Sequence, residues 1–140
     1  MAVKPQRITV AAEINAPLQK VWDAWSNPEA IKQWNQASAD WHTTEAENNL
    51  SEGGQFRFHM AAKDGSAGFD LKGTYVAVDE LEYIEYELED GRQVGISFNE
   101  EDGITSITET FEAENQNPAA AQQQGWQAIL NNFKQFVESN

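Results

Sequence analysis

The side chains best suited to chemistry in this chain of 140 residues are two histidines, a row of carboxylates and one glutamate that breaks a pattern. His42 and His59 stand alone, with no His-x-x-x-His pair and no carboxylate spacing of a metal loop around them. His59 alternates with Phe58 and Met60, which sends it to the solvent side of a strand together with Arg57. His42 follows Trp41 and points outward if Trp41 points inward, a register the sequence leaves open. Nucleophilic catalysis has no support, because there is no cysteine, no Gly-x-Ser-x-Gly elbow and no Ser-His-Asp order beyond chance. Phosphate-cradling loops are missing too, since the glycines fall in hairpins rather than in Gly-x-Gly-x-x-Gly or Gly-Lys-Ser/Thr runs. Glu85, Glu87 and Glu89 alternate with Ile84, Tyr86 and Leu88 and form a solvated strand face.

Glu109 is different. It lies in register with Thr105, Ile107 and Phe111, on the face expected to point inward. A carboxylate there is costly unless it is hydrogen-bonded, paired or neutral. A sheet-edge position, an opening to water or a bulge would each remove the cost. If none applies, and no base lies nearby, desolvation raises the pKa and the group becomes a polar feature of a pocket.

The elements that would position these groups follow from periodicity. Ile8 to Ile14 alternates as a half-buried strand. Ala16-Pro17 opens a helix with Leu18, Val21, Trp22 and Trp25 on one stripe, and Asn27-Pro28 caps a second short helix through Ile31 to about Trp34. Strands are predicted from Trp41 to about Glu47, over Phe56 to Met60, Phe69 to Val78, Ile84 to Leu88 and Val94 to Phe98, and from Ile104 to Ala113. Asp64-Gly65, Asp90-Gly91 and Asp102-Gly103 mark turns between them, and Gly73 suggests a bend or bulge. Asn117-Pro118 repeats the cap-plus-proline signature. The helix it opens carries Trp126, Ile129, Leu130, Phe133, Phe136 and Val137 as an apolar stripe, with Gln127 and Lys134 on the polar side.

Composition bounds the rest. The 23 acidic residues against 9 basic ones give a formal charge of −14, which repels phosphate backbones and anionic membranes, so nucleic acid is not an expected partner. No stretch approaches the roughly 20 apolar residues of a membrane span. Met1 to Arg7 has no apolar run behind its charges, unlike a secretory signal, and the lack of cysteine fits a cytoplasmic setting.

This order of elements resembles the START-like (SRPBCC) superfamily with its helix-grip fold. Within it the chain is similar to the branch related to the C-terminal domain of the activator of the ninety-kilodalton heat-shock chaperone's ATPase. The landmarks are Ala16-Pro17 followed by Val21-Trp22, Asn27-Pro28-Glu29 leading to Trp34, Gly53-Gly54-Gln55-Phe56-Arg57, Gly73-Thr74-Tyr75 through Asp79, and Gly125-Trp126. Asn49 and Ser51 stand where the branch often has Asp-x-Arg, and Glu109 where it usually has an apolar residue.

The resemblance implies one α+β domain over residues 1–140: a curved antiparallel sheet of about six or seven strands gripping the C-terminal helix, with two short helices after the first strand. It also implies a cavity between sheet and helix, either open or filled by large side chains. The residues expected to line it are Trp34, Phe56, Phe58, Phe69, Tyr75, Tyr86, Phe98, Glu109, Trp126 and Phe133. The resulting expectation is a protein that binds a small hydrophobic or amphipathic molecule, without cofactor or metal. The superfamily supplies two alternatives: a cyclase- or hydratase-type enzyme with Glu109 as acid or base and a hydroxyl from Tyr75 or Tyr86, and a module that contacts a chaperone protein.

Overall fold

A computed structural model describes residues 6–140; the first five residues of the charged N-terminal stretch lie outside the described residues. The chain runs β1 (Arg7–Ile14), α1 (Leu18–Ser26), α2 (Pro28–Trp34), β2 (Trp41–Asn48), β3 (Gln55–Ala62), β4 (Gly68–Asp79), β5 (Tyr83–Leu88), β6 (Gln93–Glu101), β7 (Ile104–Glu112) and α3 (Ala119–Ser139). The seven strands form one sheet in the order β1-β7-β6-β5-β4-β3-β2, antiparallel throughout. This is the helix-grip arrangement.

The hairpins form where the Asp-Gly pairs predict them. Asp102 and Gly103 both adopt positive φ (52° and 79°), the backbone a two-residue hairpin turn requires. Curvature has two local sources, register shifts between Thr43 and Glu45 in β2 and between Tyr75 and Ala77 in β4. Gly73 is not one of them. A Cβ there would lie 2.6 Å from the Phe56 ring, so the glycine makes room for that ring instead of bending the strand.

Helix starts are less uniform than the proline signatures suggest. Asn27 does cap α2, its Oδ1 accepting from the Glu29 N–H at 2.9 Å. In α1 and α3 the proline itself occupies the cap position and offers no side-chain acceptor. Glu100, at the end of β6, accepts from the Leu18 N–H instead (2.9 Å). At α3, Asn117 is not the cap. The buried Gln122 side chain accepts from the Glu114 N–H (3.0 Å) and donates to the carbonyls of Glu114 and Asn117, clamping the preceding loop to the helix.

α3 makes its closest backbone approach to the sheet at β1. Its apolar stripe enters the core, where Phe133 is fully buried between Trp25 and Trp34, with ring centroids 5.0 and 4.8 Å away and near-perpendicular planes. The polar stripe is not simply solvated. β1 is an edge strand, and alternate residues turn their backbone groups away from β7. Gln127 donates to the Ala11 carbonyl (2.9 Å) and accepts from the Ala11 N–H (3.3 Å). Lys134 donates to the Glu13 carbonyl, Gln123 to the Thr9 carbonyl, and Glu138 accepts from the Asn15 N–H.

Phe133→Ala should therefore destabilise the fold by roughly 3–5 kcal/mol in denaturant melts, as a large deletion at the junction of three helices. Lys134→Ala, which removes a solvent-exposed hydrogen bond and an exposed ion pair to Glu138, should cost less than about 1 kcal/mol.

Candidate functional site

Because α3 meets the sheet at β1, the strands farther along the sheet curve away from it. The gap is largely filled by Phe56 and Phe58 from β3, Tyr75 from β4 and Tyr86 from β5, opposed by Trp25, Trp34, Trp126, Ile129 and Leu130 from the helices. Phe56 is the hub on the sheet side: it stacks on Phe58 (4.9 Å, 13°) and meets Tyr86 edge-on (4.9 Å, 88°). A cavity of about 90 Å³ remains, whose wall also includes Ile31, Asn35, Leu71 and Glu109. Ile31 and Leu130 are fully buried, whereas Phe58, Leu71, Trp126 and Ile129 are only partly so and form the rim; Trp25 and Tyr86 are partly buried as well.

The wall is apolar except at a few points. Two of its polar side chains are already engaged. The Tyr75 hydroxyl donates to Asn48 Oδ1 (2.5 Å), and Asn48 in turn donates to the Ser26 carbonyl (2.9 Å). Burial pushes the Tyr75 hydroxyl pKa well up, partly offset by that bond. Asn35 places its side-chain nitrogen 3.9 Å from Met60 Sδ, and its backbone carbonyl accepts from Thr43 Oγ1 at 2.7 Å.

Glu109 is not engaged. It is only 6% exposed, and its strand is interior, in unbroken register with both neighbours. Val10 and Ile96 stand directly opposite it on the two sides, and both are buried. A sheet edge and a bulge are thus excluded as explanations. Among the described residues no cation and no hydrogen-bond donor meets the carboxyl, and burial alone pushes its pKa from 4.5 up to about 8. The Tyr86 hydroxyl likewise has no hydrogen-bond partner among the described residues. Burial raises its pKa strongly, and the nearby Glu109 charge raises it further. Of the two tyrosines, Tyr86 alone has its hydroxyl free.

The expected lining residues separate into three groups. Trp34, Phe56, Phe58, Tyr75, Tyr86, Glu109 and Trp126 line the cavity. Phe98 and Phe133 do not; they lie behind it, Phe98 against Trp22 and Trp25, Phe133 between Trp25 and Trp34. Phe69 is misplaced by the alternation. It shares the inward face with Leu71, but near the start of the long β4 the helices no longer cover the sheet. The ring is 49% exposed and rests on Trp41, 6.0 Å away. Trp25, Ile31, Leu71, Ile129 and Leu130 were readable as apolar positions of their elements without being assigned to the cavity. Asn35, just past α2, gives no signal in the sequence.

The other face of the sheet carries a wider, open groove of about 690 Å³ whose side chains include Glu47, Arg57, Lys72, Glu87 and Glu89. These are solvated charges, and beside them His59 Nδ1 lies 2.7 Å from Asp70. His42 sits opposite Ala61 while Trp41 and Thr43 share the inward phase, so His42 faces outward. Among the described residues no three His, Asp or Glu side chains cluster as metal ligands, and no helix is long and apolar enough to cross a membrane.

Residues 15–138 match the family described as Activator of Hsp90 ATPase homolog 1-like protein. The chain belongs to that family. Its fold is also that of the AHSA1-like protein from Aeromonas hydrophila, known from a solution NMR structure, at 47% identity and a TM-score of 0.90 over 96% of this chain and 93% of that one. Chr148 from Cytophaga hutchinsonii matches over the same shares at 47% identity with a TM-score of 0.83. CV1439 from Chromobacterium violaceum, at 19% identity, shares the fold alone (TM-score 0.86, covering 97% and 100%). The comparison with curated proteins found no match.

The Glu109 environment makes stability depend on pH. Below about pH 4.5 the carboxyl is protonated folded and unfolded, and its burial carries no ionic penalty. Between 4.5 and about 8 the unfolded chain releases the proton while the folded chain keeps it, so stability falls as pH rises; above about 8 the loss levels off. Wild type should lose roughly 3–5 kcal/mol from this group across that window, and Glu109→Gln should lack the loss. Denaturant melts of both proteins at pH 5 and pH 8.5 measure the difference.

Proposed function

We propose that this protein binds a small apolar or amphipathic molecule in the cavity between the sheet and α3. The observation that carries the reading is the carboxyl of Glu109, without a partner among the described residues, in a mostly apolar cavity. A buried polar group without a partner costs about 1–3 kcal/mol, and a ligand that hydrogen-bonds to it recovers that loss. The cavity is smaller than the ~150 Å³ apolar void that takes up benzene, so the native volume suits a fragment of a few heavy atoms. A larger ligand enters by displacing the rim side chains Phe58, Leu71, Trp126 and Ile129.

The family description supports a second reading, contact with an Hsp90-type chaperone. That contact would use the outer surface and not the cavity, so the two readings respond differently to filling the void. In the test, a library of fragments is screened by the fluorescence of Trp25, Trp34 and Trp126, which all line the cavity. Ile129→Trp should keep the fold and weaken fragment binding by about tenfold or more. Unchanged fragment binding in this variant would place the ligand elsewhere. Stimulation of a chaperone's ATPase that survives Ile129→Trp would support the second reading.

A further inference from the structure

Among the described residues the carboxyl of Glu109 and the hydroxyl of Tyr86 face the cavity without a hydrogen-bond partner, and together they define what the head of a ligand must be. Glu109 reaches the cavity from β7 and Tyr86 from β5, with β6 between them. Tyr86 stands opposite Val94, and Glu109 opposite Ile96, so the two side chains rise from the same sheet face on a diagonal across β6. They share a void of only about 90 Å³, which brings both within reach of one small molecule. Of the other polar side chains of the wall, Tyr75 donates to Asn48, and the Asn35 side-chain nitrogen is turned to Met60 Sδ.

We infer that the carboxyl of Glu109 and the hydroxyl of Tyr86 act as a pair of hydrogen-bond donors for a single uncharged carbonyl oxygen at the head of a small apolar ligand. This deepens the proposed function and rests on it. The elements packed around Glu109 present Val10, Ile96, Ile107, Phe111, Trp126, Ile129 and Leu130, and the other titratable groups of the cavity wall are Tyr86 and Tyr75. None is a base. In such surroundings the carboxyl holds its proton at neutral pH and donates, as the phenol does.

Elimination favours the carbonyl. An ammonium head would force Glu109 to ionise and would bury an ion pair in a mostly apolar wall, at a desolvation cost that a neutral head avoids. A carboxylate head would bury a net charge with no cation beside it, inside a protein that is already strongly acidic. An alcohol can accept both bonds but brings a proton of its own that must find an acceptor in a mostly apolar wall. A carbonyl oxygen has two lone pairs and no proton, and it meets both donors without that further demand. The same two-donor arrangement, a tyrosine with a carboxylic acid kept neutral by its apolar site, is known to polarise carbonyl oxygens.

Four probes of similar size separate the possibilities: cyclohexanone, cyclohexylamine, cyclohexanecarboxylate and methylcyclohexane, each titrated by tryptophan fluorescence at pH 6.5. Cyclohexanone should bind tightest, with its carbonyl stretching band shifted to lower frequency in the bound state. Tyr86→Phe and Glu109→Leu, checked for folding by melting curves, should each weaken it by about tenfold, the value of one buried hydrogen bond. They should leave methylcyclohexane nearly unaffected. Wild-type affinity for the ketone should fall as pH rises through about 8, whereas Glu109→Gln, which donates at every pH, should show no such fall. Tighter binding of the amine or the hydrocarbon, or ketone affinity indifferent to both substitutions, would overturn the two-donor assignment while leaving the cavity as a binding site. If neither these four probes nor their smaller counterparts acetone, isopropylamine, propionate and propane bind wild type, the cavity is not a binding site, and the proposed ligand binding and this assignment fail together.

Discussion

A straight helix and a curled sheet can touch along only one line, and here that line is α3 against β1. The helix is held there in two ways. Phe133 is gripped by two tryptophans of the short helices, and polar side chains reach the free backbone of the edge strand. Everything else follows from where this leaves the other strands. They diverge from the helix, and the wedge of space they open is closed by large aromatic side chains, Phe56, Phe58, Tyr75, Tyr86, Trp34 and Trp126. Rings of fixed shape fill a wedge imperfectly, and a residual void is the outcome.

Into that void the fold sends one carboxyl. Its position on an interior strand, between two aliphatic neighbours, turns it toward the void. A hydrocarbon at this position would fit the local pattern and stabilise the domain more simply. An acid that opposes folding at neutral pH is the kind of local conflict that marks functional positions, where one requirement of folding yields to another of binding. Tyr86 adds to the argument because it repeats the conflict two strands away.

Much of this was legible in the sequence. The alternation of Ile8 to Ile14, the Asp-Gly turns and the stripe from Trp126 to Val137 specify elements whose periods leave little choice, and the order of those elements restricts the architecture. Glu109 stood out for the same reason: a charged residue in phase with Ile107 and Phe111 contradicts the pattern around it. Periodicity reports which face a residue occupies, but not how far the covering layer extends. Phe69 therefore read as interior although the helices stop short of it, and Phe98 and Phe133 read as lining although they lie one layer deeper. Partnerships across distant segments were equally invisible. Nothing near Leu18 announces that Glu100 caps its helix, and nothing near Ala11 announces Gln127.

The side-chain bonds from α3 to β1 also bear on how the chain is made. A sheet has two edges, and each is a template on which another strand can grow. One edge of this sheet is occupied by Gln123, Gln127, Lys134 and Glu138, all from the helix that follows the strands in the chain. During synthesis the strands emerge first, and for that interval the β1 edge and the aromatic floor stand uncovered together. Arrival of α3 closes both in one step. The same helix that shapes the cavity thus ends the period in which the nascent sheet is open to aberrant pairing with its neighbours.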